Sequence, residues 1–380
     1  MGLVRRLYRG DTKIDFIGSR KRWYIASGVI TIACLALIIF KSFNFGIEFS
    51  GGNSFTFTKP PGATLEQAER VVQDAGAEVQ TAQQVGGGGQ TKFVLKTAAL
   101  NIDETAKVKE ALSKELKVDV NDVTDSAVSS SWGGHVTKQA LIALAAFLVL
   151  VSIYIWIRFE QKMAISAILA LLHDLVLTAG VYSLIGFEVT PSTVIGLLTI
   201  LGFSLYDTVV VFDKVEENTR GILGGTRTDY AEAANLAVNQ TLMRSINTSL
   251  ISLLPVGGLL FVGAGLLGVG TLKDLALVLF VGLAAGAYSS LFLATPWLVD
   301  LKEREPRYAA LKQRVLAKRA AVARTGAVES AESLADTVAE PEVATAGAGA
   351  GAGRGGASRP PQRRRPAGKT GRPSGSKRKR

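Results

Sequence analysis

The fold class this sequence predicts is a polytopic α-helical membrane protein. It has six transmembrane helices and a small ferredoxin-like α+β extracytoplasmic domain between helices 1 and 2. Three observations predict it. Six apolar runs approach the roughly 20 residues that a helix needs to cross a bilayer. The long segment between the first two runs alternates strand and helix patterns. The Lys and Arg residues that flank the runs fall on one side of the membrane if both termini are cytoplasmic.

The runs cover residues 23–43, 136–157, 164–185, 191–212, 245–262 and 275–299 of a 380-residue chain that is 48% hydrophobic. Seven basic residues, Arg5 to Arg22, precede the first run, and Phe40, Phe43 and Phe45 close it. A cleaved leader would have small residues there, so the run reads as an uncleaved anchor. Residues 1–22 are then a cytoplasmic N-terminus, 23–43 helix 1, 44–135 the exported domain, 136–299 helices 2 to 6, and 300–380 a cytoplasmic tail. Arg158, Lys162, Lys214, Arg220, Arg227, Arg244, Lys302 and Arg304 lie in or beside the connections on the cytoplasmic side. The lone cysteine, Cys34, allows no intrachain disulfide.

The exported segment begins with a strand over 54–58. A helix over 64–74 follows, with Thr64 as its N-cap and Leu65, Ala68, Val71 and Val72 on one face. Strands over 78–85 and 91–96 are joined by the glycines at 86–89. A second amphipathic helix covers 103–116 and a last strand 120–128. The order βαββαβ is the split βαβ pattern. Between helices 4 and 5, residues 228–243 form an amphipathic helix. Beyond Arg307 the Ala, Gly, Pro and Arg content predicts disorder. Residues 343–380 contain eleven Lys or Arg and no acid, which accounts for the whole net charge of +11. Such a tail suits anionic lipid or nucleic acid, including ribosomal RNA.

The residue that singles out this chain is Asp207. A carboxylate at membrane depth costs roughly 3 kcal/mol on insertion scales, and such residues mark proton relays. Asp207 lies six residues short of Asp213, a further proton-pathway candidate near the interface, and so roughly 9 Å inside the cytoplasmic end of its helix. Arg244, at the start of the next apolar run, is its expected charge partner. His173 and Asp174, in the middle of helix 3, point about 100° apart, so at least one faces the bundle. A neutral His beside an acid can relay protons. Gly282, Gly286 and Ser290 form a stripe that lets helices approach closely, within the chain or toward another subunit. Two histidines and one cysteine, far apart, give no zinc spacing, and no phosphate loop is present. No cofactor is expected, and no enzymatic site emerges.

Four strings then carry a resemblance: GIEFSGG from Gly46 to Gly52, LLHDL around His173, GFSLYDTVVVFDKVEEN around Asp207 and NQTLMRSINTSL around Arg244. In this order they resemble the SecD/SecF family of protein-export membrane proteins, of the resistance-nodulation-division group. The resemblance covers about residues 20–300. It implies a six-helix half that pairs with SecD in the cytoplasmic membrane of a bacterium. It implies work with the SecYEG channel and associated Sec proteins on exported polypeptides, using the proton-motive force. It also implies that Asp207 and Arg244 belong to a proton pathway. Gly46, Glu48, Gly51 and Gly52 carry the first family motif. The chain departs from the family pattern at Glu48, usually Asp, at Tyr206, usually Asn, and at DKVEEN, usually DRIREN-like. Two other readings of the residues stay open: a half-transporter of the same fold for lipids or drugs, and a membrane receptor with a ligand-binding outer domain.

Overall fold

A computed structural model describes residues 14–86, 91–266 and 272–338. The chain divides into two compact units, Met1–Ala323 and Arg324–Arg380. All six helices long and apolar enough to cross a membrane, among the described residues, lie in the first. The second contains the last turns of the final helix. Residues 87–89 of the expected glycine linker at 86–89, and the basic segment 343–380, lie outside the described residues.

The first membrane helix is α1, Arg20–Lys41. A two-residue strand β1 (Asn44–Phe45) and a single helical turn α2 (Ile47–Ser50) lead out of it. A four-stranded antiparallel sheet follows, built from β2 (Gly52–Thr58), β3 (Val79–Val85), β4 (Lys92–Thr97) and β5 (Thr124–Val128), in the spatial order β3-β4-β2-β5. Two helices pack on it, α3 (Leu65–Asp74) and α4 (Ile102–Leu116). The period of two places Phe55 and Phe57 of β2 on the same face as Phe93 and Leu95 of β4. Those four side chains, with Ala68, Val72, Val108 and Leu112 from the helices, form the domain core. Both helices begin with a reciprocal cap: Thr64 with Gln67, and Asn101 with Glu104.

The remaining membrane helices are α5 (Ser130–Arg158), α6 (Gln161–Ile185), α7 (Pro191–Thr219), α8 (Tyr230–Gly257) and α9 (Lys273–Ser289). α8 continues in wide π-type turns over Gly258–Leu266. α9 continues through a similar stretch, Ser290–Ala294, into α10 (Thr295–Glu303). The amphipathic helix expected at 228–243 is not separate. Asp229 caps it, and it runs unbroken into the apolar part of α8.

The domain and the membrane body meet at three places. β1 pairs in parallel with β6 (Glu188–Val189), in the turn between α6 and α7. The α2 turn packs on the start of α5, where a Cβ on Gly133 would strike the Phe49 carbonyl. Lys96 of β4 bonds Glu188 and lies 3.6 Å from Glu48. Gly51 and Gly52 have φ of 80° and 153°, a region that L side chains rarely adopt, and Cβ atoms there would strike Ser130 and the Thr97 carbonyl. The motif glycines are therefore a joint, in which backbone passes backbone too closely for side chains.

At the opposite end, the structure corrects the expectation of disorder over residues 307–338. Pro306–Val338 is a helix, α11. Leu311 and Val315 are buried in the same core as Phe16, Val238 and Leu298. Arg314 donates to the Leu223 carbonyl, Lys318 to the Thr226 hydroxyl and Arg319 to Glu232. Composition predicted disorder, but basic residues spaced along one face meet acceptors on the α7–α8 connection and in the first turn of α8. The N-terminal segment is strapped to α8 as well. The Ile14 and Phe16 backbone N–H groups donate to the side-chain oxygens of Asn239 and Asn235.

Candidate functional site

The buried polar centre of the membrane body is built on five helices. α7 starts with Pro191 behind a Thr190/Thr193 cap, and its inward face carries Gly196, Ile200, Ser204, Asp207 and Val211. That spacing follows the helical period, so Asp207 points into the bundle. α9 comes close to this face because it is lined by small residues. A Cβ on Gly282 would lie 2.0 Å from Ile200, and one on Gly286 would lie 2.9 Å from Ser204. The stripe Gly282/Gly286/Ser290 therefore packs within the chain and is not free for another subunit.

Asp207 is 8% exposed and Asp174 is 1% exposed. Hydroxyl groups surround both. Ser245 of α8 donates to Asp207 Oδ1 at 2.7 Å, and Ser290 donates to Oδ2. Asp174 Oδ2 accepts from Ser204 of α7 at 2.5 Å and from Ser289 at 2.7 Å. Its Oδ1 lies 3.2 Å from His173 Nδ1, and His173 Nε2 lies 2.8 Å from the Ser27 hydroxyl of α1. His173 and Asp174 thus belong to one hydrogen-bonded set and Asp207 to a second, and the two meet at the consecutive residues Ser289 and Ser290.

The expected Asp207–Arg244 pair is absent among the described residues. Arg244 is exposed, and its Nη2 donates to the Tyr206 hydroxyl at 3.0 Å. The cause is helix geometry. Neighbouring residues on α7 and on α8 diverge by about 100°, so the pairs Asp207–Ser245 and Tyr206–Arg244 face different ways. Asp213 also stands apart. It is an exposed residue that accepts from Arg158 at 2.6 Å, tying the end of α5 to α7. Of the motif residues, the Gly46 N–H bonds the Val189 carbonyl at 3.0 Å, extending the β1–β6 pair. Glu48 joins the Lys96 cluster. Burial by itself would depress the Lys96 ammonium, but the bond to Glu188 and the charges of Glu188, Glu48 and Asp274 outweigh it and hold its pKa above the ordinary lysine value.

The sequence reading missed Ser27, Ser204, Ser245, Ser289, Lys96 and Glu188. A signal existed for two of the serines. Ser204 lies three residues before Asp207, on the same face, and Ser245 follows Arg244. Among the described residues, no three His, Cys, Asp or Glu side chains lie close enough to hold a metal ion.

The chemistry of such a shell is definite. A serine hydroxyl donates to a carboxylate and accepts from a protonated carboxyl, so the same ring of partners serves either charge state. An arginine in contact would favour the anion.

Residues 108–304 match the family described as protein export membrane protein SecD/SecF, C-terminal. The chain belongs to the SecD/SecF family. It is 50% identical over 334 residues to the protein translocase subunit SecF of Streptomyces coelicolor, covering 88% of each chain. It is 52% identical over 325 residues to the protein translocase subunit SecF of Mycobacterium tuberculosis, covering 83% of this chain and 73% of the relative. Among solved structures, it resembles the translocon-associated membrane protein SecDF from Thermus thermophilus, with a TM-score of 0.68 and 31% identity. That match covers 80% of this chain and only 40% of the solved one. Family membership and the six apolar helices make this a multi-pass membrane protein.

Proposed function

We propose that this chain is an auxiliary subunit of the Sec protein-export machinery, and that it uses the proton-motive force to promote translocation across the bacterial cytoplasmic membrane. The similarity to SecF subunits supports the auxiliary role. The partner is SecD. This chain matches 40% of the SecDF protein of Thermus thermophilus and 39% of that of Bacillus subtilis, which leaves room there for a second half. The exposed apolar residues Leu250, Ile251 and Leu254 of α8 offer a face to such a partner. The pair acts with the SecYEG channel on exported polypeptides, in contact with membrane lipids. Both termini are cytoplasmic, and the domain of residues 44–135 is extracytoplasmic. Its strand order β3-β4-β2-β5 supports a ferredoxin-like reading.

The observation that carries the mechanism is Asp207, buried at membrane depth among hydroxyl groups and with no cation bonded to it among the described residues. Its carboxyl takes up and releases the proton, and Asp174 and His173 extend the path toward Ser27. Arg244 and Asp213 stand at the cytoplasmic rim. Asp207→Asn keeps the shape and removes the titratable proton. The variant assembles normally, and export loses its stimulation by an imposed proton gradient. Full gradient-stimulated export by Asp207→Asn would overturn this reading.

A further inference from the structure

Asp174 and Asp207 lie on different helices, yet two of their hydroxyl donors are consecutive residues of one backbone. Ser289 donates to Asp174 and Ser290 to Asp207. Each serine has a second acceptor one turn back on its own helix. For Ser289 it is the Gly286 carbonyl at 3.3 Å, and for Ser290 the Ala287 carbonyl at 3.2 Å. A hydroxyl has one proton to donate, so each serine chooses between the carboxyl and the carbonyl. A carboxylate wins that choice, because a hydrogen bond to an ionised acceptor is roughly twice as strong as a neutral one. A protonated carboxyl is a weaker acceptor and has a proton of its own to donate, so the carbonyl wins instead.

The backbone at this point is built to respond. The wide π-type turns begin at Ser290 and run to Ala294. Such turns interrupt the regular ladder and are frequent at functional sites. Asp207 meets Ser245 from α8 and Ser290 from the α9 side. Asp174 meets His173 on its own helix, Ser204 from α7 and Ser289 from α9. Tyr288 and Trp297 pack on the His173 ring, each with centroids 6.4 Å away, and Ser27 bonds it from α1. Arg244, the charged group at the next position on α8, is held by Tyr206.

We infer that Ser289 and Ser290 are positioning residues that link the two carboxyls, so that the proton state of Asp207 sets the hydrogen bonding of Asp174. Protonation of Asp207 releases Ser290 to the Ala287 carbonyl. The one peptide bond between the serines carries the adjustment to Ser289, which loosens its hold on Asp174. α6 thereby senses the charge on α7 although Asp174 and Asp207 share no direct bond. This inference rests on the reading of Asp207 as the carboxyl that gains and loses the proton.

The test is infrared difference spectroscopy of the full chain in lipid vesicles, following the carboxyl C=O bands during acidification. Asp174→Asn and Asp207→Asn assign the bands. Replacing Asp207 by Asn should move the titration midpoint of Asp174 by about one pH unit, a tenfold change in proton affinity. In the Ser289→Ala/Ser290→Ala background the same replacement should leave that midpoint in place, and threonine at both positions should restore the coupling. Alanine suits a helix interior well, and either single alanine variant carries the test if the double variant does not assemble. An Asp174 midpoint indifferent to residue 207 in the otherwise unaltered chain overturns the inference. So does coupling that survives both alanines. These outcomes are independent of export, so a coupled pair in a chain whose Asp207→Asn variant still exports at full rate would sink the proposed function and leave the serine link standing.

Discussion

Arg244 donates to the Tyr206 hydroxyl at 3.0 Å, while its neighbour Ser245 donates to Asp207, the neighbour of Tyr206. Both pairs are 38 residues apart in sequence, so α7 and α8 meet in a single register with two alternative faces. In the arrangement seen here the cation stays on the outer face and the carboxyl keeps its hydroxyl partners. Bringing Arg244 to Asp207 requires a turn of α8, or a swing of the long Arg side chain away from Tyr206. Either movement replaces a hydroxyl by a permanent positive charge and favours the anion.

Arg244→Ala should therefore abolish gradient-stimulated export while leaving insertion and assembly intact, because an exposed side chain contributes little to the fold. Tyr206→Phe removes only the hydroxyl that holds the guanidinium. It should slow export a few-fold, since the cation is then less often kept away from Asp207. Tyr206→Asn, which keeps a polar side chain at that position, should be close to unaltered. Export rates of inserted variants with the gradient imposed and collapsed decide among these. Arg244→Ala at full rate removes the arginine from the mechanism.

The joint between domain and membrane body gives a second prediction. Lys96 and Glu188 are both largely buried, and Glu48 adds a second carboxylate. Removing one member of a buried pair leaves a desolvated charge, at a cost of about 3 kcal/mol. Lys96→Met should loosen the domain, read as faster amide exchange in β4 and β6. Adding Glu188→Gln should recover part of the loss. The pH dependence follows from the raised lysine. A group whose folded pKa is raised contributes in full below its unfolded value, near pH 10.4, and loses that contribution only as pH rises through the higher folded value. The lysine's contribution should thus be flat from about pH 7 to 9. A joint that opens steadily over that window would show that another group controls it.

The membrane helices were legible in the sequence because a bilayer demands an uninterrupted apolar length, and that demand leaves a strong mark. The domain strands were legible from alternation, as in Phe55 and Phe57 against Phe93 and Leu95. Asp207 and Asp174 stood out because polar residues are rare in such helices. Their serine partners did not, since a serine in a membrane helix usually just bonds the carbonyl one turn back, as Ser249 does to Ser245. The direct contact of Arg244 with Asp207 was misplaced because charge complementarity ignores direction, and a difference of one residue turns a side chain by about 100°. The α11 helix was missed because its Ala and Arg content suits a tail as well as a helix, and only its partners on the α7–α8 connection decide between them.

The close approach of α7 and α9 can be tested at Gly282, where a Cβ would fall 2.0 Å from Ile200. Gly282→Val forces the helices apart and should cost about 1–3 kcal/mol of overpacking. Because Ser289 and Ser290 lie two turns further along α9, the loss should reach the carboxyls as well. Gly258→Val, at a position with open space around the Cβ, is the control. A lower midpoint for unfolding in detergent is expected for Gly282→Val alone. Equal stability of the two variants would mean that the helices are not held together there.

Two truncations separate the roles of the C-terminal region. Removing residues 343–380 deletes eleven positive charges and no acid. Insertion and gradient-stimulated export should survive, while binding to anionic vesicles or to ribosomes weakens, most visibly at low salt. Removing everything from Pro306 onward is different in kind. It deletes Leu311 and Val315 from the core of the membrane body, with the bonds from Arg314, Lys318 and Arg319 to the α7–α8 connection. Each fully buried aliphatic side chain contributes about 1.5–3 kcal/mol. The connection and the first turns of α8 should then exchange amide protons faster, and export should fall because α8 positions Ser245 and Arg244. Arg319→Ala is the milder version, and should speed exchange near Glu232 without disturbing insertion. The measurement is hydrogen exchange across residues 219–245 in the three variants, beside their export rates. If truncation at Pro306 leaves that exchange pattern unchanged, α11 does not clasp the connection, and the hydrogen bonds along it contribute nothing to the position of α8.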